Sequence, residues 1–150
     1  MCPRAGTIFC IAGGNTNPSS PVAGRHDCGP TNSGLGEIRF HVHGYGRGRT
    51  LFEVPASGEL VVDVDVPRGG TIVVPIAQDA NQAAVLFDAS GLAWSSGDFG
   101  GDLDETIEDV PRIGRAWVFR DMPPGTCTAT VDGKARSPVP LASAGTAVAY

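Results

Sequence analysis

Two-residue alternation of apolar and polar positions runs through the chain after Gly36. In residues 37–43, apolar and polar side chains fall on opposite faces of an extended segment. The apolar set is Ile38, Phe40 and Val42, and the polar set is Glu37, Arg39, His41 and His43. One polar face per strand is what an antiparallel sheet packed on one side requires.

Further strands are predicted at short spacing, separated by turn sequences rich in Gly, Pro, Ser and Asp. They cover residues 59–66, 70–76, 84–88, 116–120 and 126–131, with a last strand over 146–150. Residues 104–110 predict a single helical turn. Many short strands with frequent turns are typical of an all-β sandwich or barrel, and we predict an antiparallel β-sandwich.

The predicted organisation is one domain with two parts. Residues 1–36 contain an N-terminal strand followed by a long arm or loop, and residues 37–150 form the β-sandwich. The sequence of residues 13–36 is rich in Gly, Pro, Asn and Ser and has no periodicity. Ordered loops of this length are usually functional, so we expect a disulfide or a neighbouring chain to hold it in place.

The segment FRDMPPGTCTATV, residues 119–131, resembles the closing hairpin of carboxypeptidase regulatory-like, transthyretin-like β-sandwich domains. The segment VLFDASG, residues 85–91, is similar to the opening strand of that family and its following turn. The resemblance covers about residues 70–133, with Cys127 standing where the family usually has Tyr. It implies an Ig-like or transthyretin-like sandwich, usually an extracellular accessory module without catalytic residues.

Composition and charge narrow the range of partners. The formal net charge is −5 with 11 basic and 16 acidic residues, and Lys134 is the only lysine. This balance argues against a nucleic-acid partner, which needs a concentrated basic surface. No apolar stretch approaches the length of a membrane helix, and the first 14 residues lack a clear cleavage site for a signal peptide. We therefore predict no membrane insertion.

Four cysteines, an even number, are compatible with disulfides: Cys2, Cys10, Cys28 and Cys127. Three pairings are open, and Cys10–Cys28 is the most economical bridge, because it would staple the loop between these two residues. In the chain-entropy model a disulfide across a loop of that size stabilises by about 3 kcal/mol. The alternative is that some or all are buried free thiols, which pack as small apolar residues.

The pair His41-Val42-His43 is the sharpest candidate for metal chemistry. Two histidines at positions i and i+2 of a strand share a face, as a transition-metal site on a sheet requires. His26 and Cys28 are further candidate ligands. The spacing to the nearest Gly and Glu does not fit a cupin site, and the face shared with Glu37 and Arg39 predicts solvated or interfacial histidines.

A second candidate cation site is the acidic segment from Asp98 to Asp109, whose carboxylates offer oxygen ligands to Ca²⁺. The spacing is not that of an EF-hand, and a run of acidic residues usually forms a solvated surface. The sequence itself requires no cofactor.

Aromatic and arginine side chains supply the candidate binding residues. Tyr45, Arg47 and Arg49 lie in a glycine-rich strand connection and are candidates to stack on a ring or hold a carboxylate. Trp94, in a loop before Ser95-Ser96-Gly97, is predicted to be exposed for sugar stacking or an interface. Trp117 is predicted to lie in the core by its period with Phe119.

No Gly-x-Ser-x-Gly elbow or other catalytic spacing occurs, so we predict that the chain is not an enzyme. The favoured hypothesis is an extracellular structural or assembly subunit of a surface layer, filament, fibre or virion, with a protein partner or self-assembly. One alternative is a carbohydrate-binding or cell-surface adhesion module. The other is a metal-binding protein using His41 and His43.

Overall fold

The structure is a computed structural model that describes residues 33–79, 82–95 and 105–150, and the backbone alone of residues 6–12 and 15–19. The described chain is all-β. The chain divides into two compact units. Unit 1 is formed by Met1–His43 and Arg47–Val66, and unit 2 by Gly44–Gly46 and Pro67–Tyr150. The predicted boundary between residues 36 and 37 stays a prediction. The described residues form no helix long and apolar enough to cross a membrane.

Unit 1 contains one four-stranded antiparallel sheet in the order β2-β1-β3-β4. Its strands are β1 Gly6–Ala12, β2 Asn15–Ser19, β3 Gly34–Val42 and β4 Gly46–Val54. The register between β1 and β3 sets Cys10 opposite Ile38 and Phe9 opposite Arg39. The predicted loop over residues 13–36 is therefore wrong in part, because β2 occupies residues 15–19 and β3 begins at Gly34.

Burial in β3 follows the predicted alternation as far as Phe40. Ile38 and Phe40 are buried, and Phe52 with Val62, Val64 and Val66 packs against them. Residues 59–66, however, belong to no strand, so the predicted strand there is wrong. The alternation in residues 59–66 correctly predicts that the valines pack against the core. A strand also needs a neighbouring strand to which its backbone can hydrogen-bond, and the sequence of a single segment does not show whether such a neighbour exists.

Unit 2 contains two sheets. The first has the order β13-β5-β9-β8, and the second has the order β11-β10-β6-β7 with β12 also paired to β10. The strands are β5 Gly70–Pro75, β6 Ala84–Phe87, β7 Ala93–Trp94, β8 Glu105–Val110, β9 Gly114–Met122, β10 Gly125–Val131, β11 Lys134–Ala135, β12 Val139–Leu141 and β13 Thr146–Val148. The prediction of an all-β, sandwich-like fold is confirmed. One pairing, β13 with β5, is parallel.

The core of unit 2 draws side chains from both of its sheets. Ile72, Val74 and Phe119 come from the first sheet, and Leu86 and Ala129 from the second; each is at most 1% exposed. In β10 the predicted inward set of Cys127, Ala129 and Val131 is confirmed. Burial in β10 therefore follows its alternation, whereas in β9 Phe119 is buried as predicted but Trp117 is half-buried beside buried Ala116 and Val118.

Two local predictions are corrected in this unit. The predicted helical turn over residues 104–110 is wrong, because Glu105–Val110 pairs as β8 with β9, while Asp104 lies outside the described residues. A hairpin turn with Arg112 and Gly114 at positive φ allows that pairing. The segment around Pro123 and Pro124 is not a hairpin either, since β9 and β10 belong to different sheets. The transthyretin-like resemblance itself stays a prediction.

A close approach of backbones joins the turn 44–46 to residues 67–70 and Asp121 in unit 2. The Gly44 N–H donates to Asp121 Oδ2 at 2.8 Å, and the Gly69 N–H donates to the Tyr45 carbonyl at 2.6 Å. A Cβ atom on Gly69 would lie 2.3 Å from the carbonyl carbon of Asp121. Only a residue without a side chain fits at this position.

We expect Gly69→Ala to lower the free energy of unfolding by about 3 kcal/mol. The added methyl group would collide with backbone atoms, which cannot move aside as a flexible side chain can. Gly58→Ala is the matched control. Gly58 has a φ of +99° and open space around its Cβ direction, so the cost there is conformational only and about 1 kcal/mol. Urea unfolding measures both; equal costs would contradict the close approach at Gly69.

An exposed polar cluster on β8 and β9 makes stability depend on pH. Hydrogen bonds from Thr106 and from Arg120 lower the pKa of Glu108 below its usual value. Arg120 Nη2 lies 2.5 Å from Glu108 Oε1, and Nη1 donates to Thr106 Oγ1 at 2.9 Å. The folded carboxyl group thus binds its proton more weakly than the unfolded one. Its stabilisation is present above the unfolded pKa and is lost as the pH falls through the folded pKa.

We expect Glu108→Gln to lower stability at neutral pH by about 0.5 kcal/mol, the usual value for an exposed ion pair. The difference from the unmodified chain should vanish in acid, where Glu108 is protonated. Urea unfolding across the acidic range measures it, with Asp109→Asn on the same strand as the control. A Glu108→Gln effect that persists unchanged at low pH would contradict the assignment.

Candidate functional site on the hairpin of strands β3 and β4

Two aromatic rings packed on glycines fix the inner face of the β3–β4 hairpin in unit 1. A Cβ on Gly36 would lie 2.6 Å from Phe52 Cζ, and one on Gly48 would lie 2.9 Å from Phe40 Cζ. Each strand therefore supplies a glycine that accepts a ring from the other strand, a known way of filling the gap that a strand glycine leaves. With the rings on this face, the polar side chains lie on the other.

An ion-pair group occupies that outer face. Glu37 contacts Arg39 directly, and its second oxygen, Oε2, lies 3.6 Å from Arg49 Nη1. Glu37 is the least exposed of the three side chains, at 18%, against 26% for Arg49 and 33% for Arg39. One carboxylate is thus shared by two guanidinium groups, with the closer contact going to Arg39.

The two histidines of the metal hypothesis lie together at the end of β3. Their ring centroids are 4.5 Å apart, with the ring planes inclined at 51°. His41 is buried, at 1% exposure, so the predicted solvated position is wrong for this residue. Burial makes His41 part of the packed interior and leaves only His43, which is half-buried, near solvent.

Within the described ranges, no group of three or more His, Cys, Asp or Glu side chains lies close enough to hold a metal ion. His26 and Cys28 lie outside those ranges. The calcium hypothesis can be compared with the structure only over residues 105–109, because residues 98–104 lie outside the described ranges. Of the remainder, Glu105 is buried and Glu108 pairs with Arg120. The two cation sites stay predictions.

The arginine and tyrosine candidates differ in their access to solvent. Arg47 is 1% exposed, which contradicts its predicted role as a surface clamp for a ligand. Tyr45 is half-buried in the turn and its carbonyl oxygen accepts from Gly69. Arg49 keeps a quarter of its side chain exposed. Arg49 is therefore the arginine of the β4 candidates that a partner can reach.

The burial of the two tryptophans differs from the predictions. Trp94 is 1% exposed, so its predicted exposure for sugar stacking is wrong, and Trp117, predicted to be core, is half-buried. Trp94 Nε1 donates to Asp88 Oδ2 at 2.9 Å, while Trp117 Nε1 donates to the Gln82 carbonyl at 2.7 Å. A buried indole needs such an acceptor, and Asp88 supplies it.

Asp88 is a buried carboxylate whose role the sequence did not predict. Its Oδ1 accepts from the Ser90 N–H at 2.8 Å, the Ser90 hydroxyl at 2.5 Å and the Leu92 N–H at 3.1 Å. With Trp94 on Oδ2, the carboxylate holds the connection from β6 to β7. The sequence Asp-Ala-Ser-Gly is the feature that could have predicted this, since an Asp side chain often accepts a hydrogen bond from the backbone N–H two residues later in a turn. Its role is structural.

Cys127 is a free thiol and fully buried. Burial raises its pKa, and the negative charge of Asp88 adds to the increase. The alternative of a buried thiol that packs as an apolar residue therefore holds for Cys127. Cys2 and Cys28 lie outside the described residues, and Cys10 is described by its backbone alone, so the disulfide pairing among them stays a prediction.

No protein-family model, no curated protein and no solved structure matches this chain. No relative therefore supplies a function for it.

We expect Asp88→Asn to lower the free energy of unfolding by about 2–3 kcal/mol, because the amide nitrogen that replaces Oδ2 cannot accept from Trp94. The shape of the side chain is kept, so packing is not altered. Asp109→Asn, an exposed change of the same chemistry, should stay within about 0.5 kcal/mol of the unmodified chain. Urea unfolding followed by Trp fluorescence measures both, and equal effects would refute the role of Asp88.

Proposed function

We propose that this chain is a non-catalytic structural or assembly subunit, of the kind found in a surface layer, filament, fibre or virion, that acts through protein–protein contact. The observation that carries the proposal is strand β4. It is nine residues long and lies at the outer edge of the unit 1 sheet as the described residues form it. Long edge strands present unpaired backbone groups that pair with another chain.

Exposed apolar side chains on the same hairpin support this proposal. Leu35, at the start of β3, is 75% exposed, and Leu51, in β4, is 54% exposed. Leu60 and Val61, which follow β4, are 44% and 70% exposed. Exposed apolar side chains that form a contiguous patch mark contact surfaces, and these four are the candidates for such a surface in unit 1.

The polar groups of the hairpin also favour contact over catalysis. Glu37 contacts Arg39 and lies 3.6 Å from Arg49, so its carboxylate is engaged by side chains of the same hairpin. The carbohydrate alternative loses its principal residue with the burial of Trp94. An extracellular location is part of the proposal and rests on the composition and the cysteines.

The experiment is sedimentation velocity on the purified chain over a wide range of concentration. We expect the weight-average sedimentation coefficient to rise with concentration, because contact through an open strand edge follows mass action. Limited proteolysis of residues 13–36 in the same samples tests whether the arm becomes protected on association. A chain that stays monomeric at the highest concentration, with the arm equally protected throughout, would overturn assembly as its function.

A further inference from the structure

The outward-facing sequence of β4 is complementary to itself. Along one face of the strand, Arg49, Leu51 and Glu53 follow one another at two-residue spacing. Leu51 is 54% exposed, Glu53 is exposed, and the Arg49 side chain is 26% exposed. A cation, an apolar side chain and an anion thus stand in line at the edge of the sheet.

A second copy of the strand fits this order through a two-fold axis. When two identical strands pair antiparallel around Leu51, Leu51 faces its own copy and Arg49 faces Glu53 of the other copy. The symmetry repeats the charge pair on the other side of the axis. Opposite charges directly across an antiparallel pair stabilise it, and like charges destabilise it.

A neighbouring register is disfavoured by burial. Pairing around Thr50 would set Arg47 opposite Glu53 of the second copy. Arg47 is 1% exposed, so its guanidinium group is enclosed within the folded chain and does not reach a partner. Pairing around Leu51 instead sets Arg49 opposite Glu53, and both of these charged side chains are at least partly exposed.

The ion-pair group of the hairpin shows that the Arg49 side chain reaches a carboxylate on the outer face. Glu37 makes its closer contact with Arg39 and lies 3.6 Å from Arg49. Glu37 is thus within reach of both guanidinium groups. The exposed part of the Arg49 side chain faces outward from the same strand face as Glu53.

We propose that β4 pairs with β4 of a second copy of this chain, antiparallel and centred on Leu51, with Arg49 opposite Glu53 in both directions. The inference rests on the proposed assembly function and names its partner, strand and register. The contact is isologous, so it makes a closed pair; longer assemblies would need a second surface.

The experiment is a charge exchange measured by sedimentation equilibrium. Arg49→Glu places Glu opposite Glu53, and Glu53→Arg places Arg opposite Arg49, so each variant alone should raise the dimer dissociation constant about tenfold or more. An equimolar mixture of the two variants restores both opposite-charge pairs and should associate at least as tightly as the unmodified chain. High salt should shrink all of these differences.

Asp63→Arg is the matched control, since Asp63 is an exposed acid of unit 1 outside β4. It should leave the dissociation constant within about twofold, because its charge lies off the paired strand. Circular dichroism and urea unfolding establish that each variant folds. If Arg49→Glu does not fold, Glu53→Arg and Leu51→Lys carry the test, since Leu51→Lys sets two ammonium groups together at the axis and should abolish pairing.

The outcomes separate the two proposals. Loss of association in the single variants with recovery in their mixture supports pairing through β4. Unchanged association in Glu53→Arg and Leu51→Lys would overturn it while leaving assembly through another surface in place. An unmodified chain that stays monomeric at every concentration would overturn both.

Discussion

One-sided burial of strands is the constraint on which this structure depends. A strand that buries every second side chain must leave the others outside, and its backbone still needs partners in the plane of the sheet. In unit 1 the inner positions of β3 pack against Phe52 and the valines of residues 62–66. Glu37 and Arg39 occupy the outer positions, because burying an unpaired charge costs a large desolvation free energy. The charged outer face is thus a consequence of the apolar inner one.

The same constraint explains where glycine, rather than a larger residue, is required. Rings from Phe40 and Phe52 take up the space above Gly48 and Gly36, so the hairpin packs tightly with few residues. At Gly46 and Gly69 the neighbour is backbone: an added Cβ would lie 2.0 Å from the Pro67 carbonyl oxygen and 2.3 Å from the Asp121 carbonyl carbon. A ring yields by rotating, whereas backbone does not. The glycines of the turn region are therefore more strictly required than those of the strands.

The sequence predicted the faces of strands well and their pairing less well. The inward positions of β3 and β10 follow from alternation, which is a property of neighbouring residues alone. Residues 59–66 alternate just as strictly but form no strand, and residues 105–110 form one despite a helical prediction. In both cases the outcome depended on whether another segment pairs with the backbone: β9 pairs with residues 105–110, and no described strand pairs with residues 59–66. Pairing of this kind leaves little trace in a single sequence.

Predictions of exposure for two candidate site residues, Trp94 and His41, were wrong for a related reason. Trp94 stands beside serine and glycine, which predicts exposure, but Asp88 offers its indole an acceptor and so makes burial favourable. His41 occupies a polar position of an alternating strand and is buried with His43 against its ring. Whether a polar side chain is buried depends on the partners that the fold brings to it. Sequence spacing identifies the side chain and its strand face but not those partners.

The charges on the β3–β4 hairpin bear on the proposed role in recognition. A catalytic carboxylate is usually set apart from cations or held where its proton affinity is raised. Glu37 instead lies within reach of Arg39 and Arg49, an arrangement that restrains the geometry of all three side chains. In the proposed pairing, charges on either side of Leu51 would select the register, because a centre two residues away, at Arg49 or Glu53, sets like charges opposite each other. Apolar exposure supplies the attraction in such a contact, and the charges on either side select which partner strand is accepted.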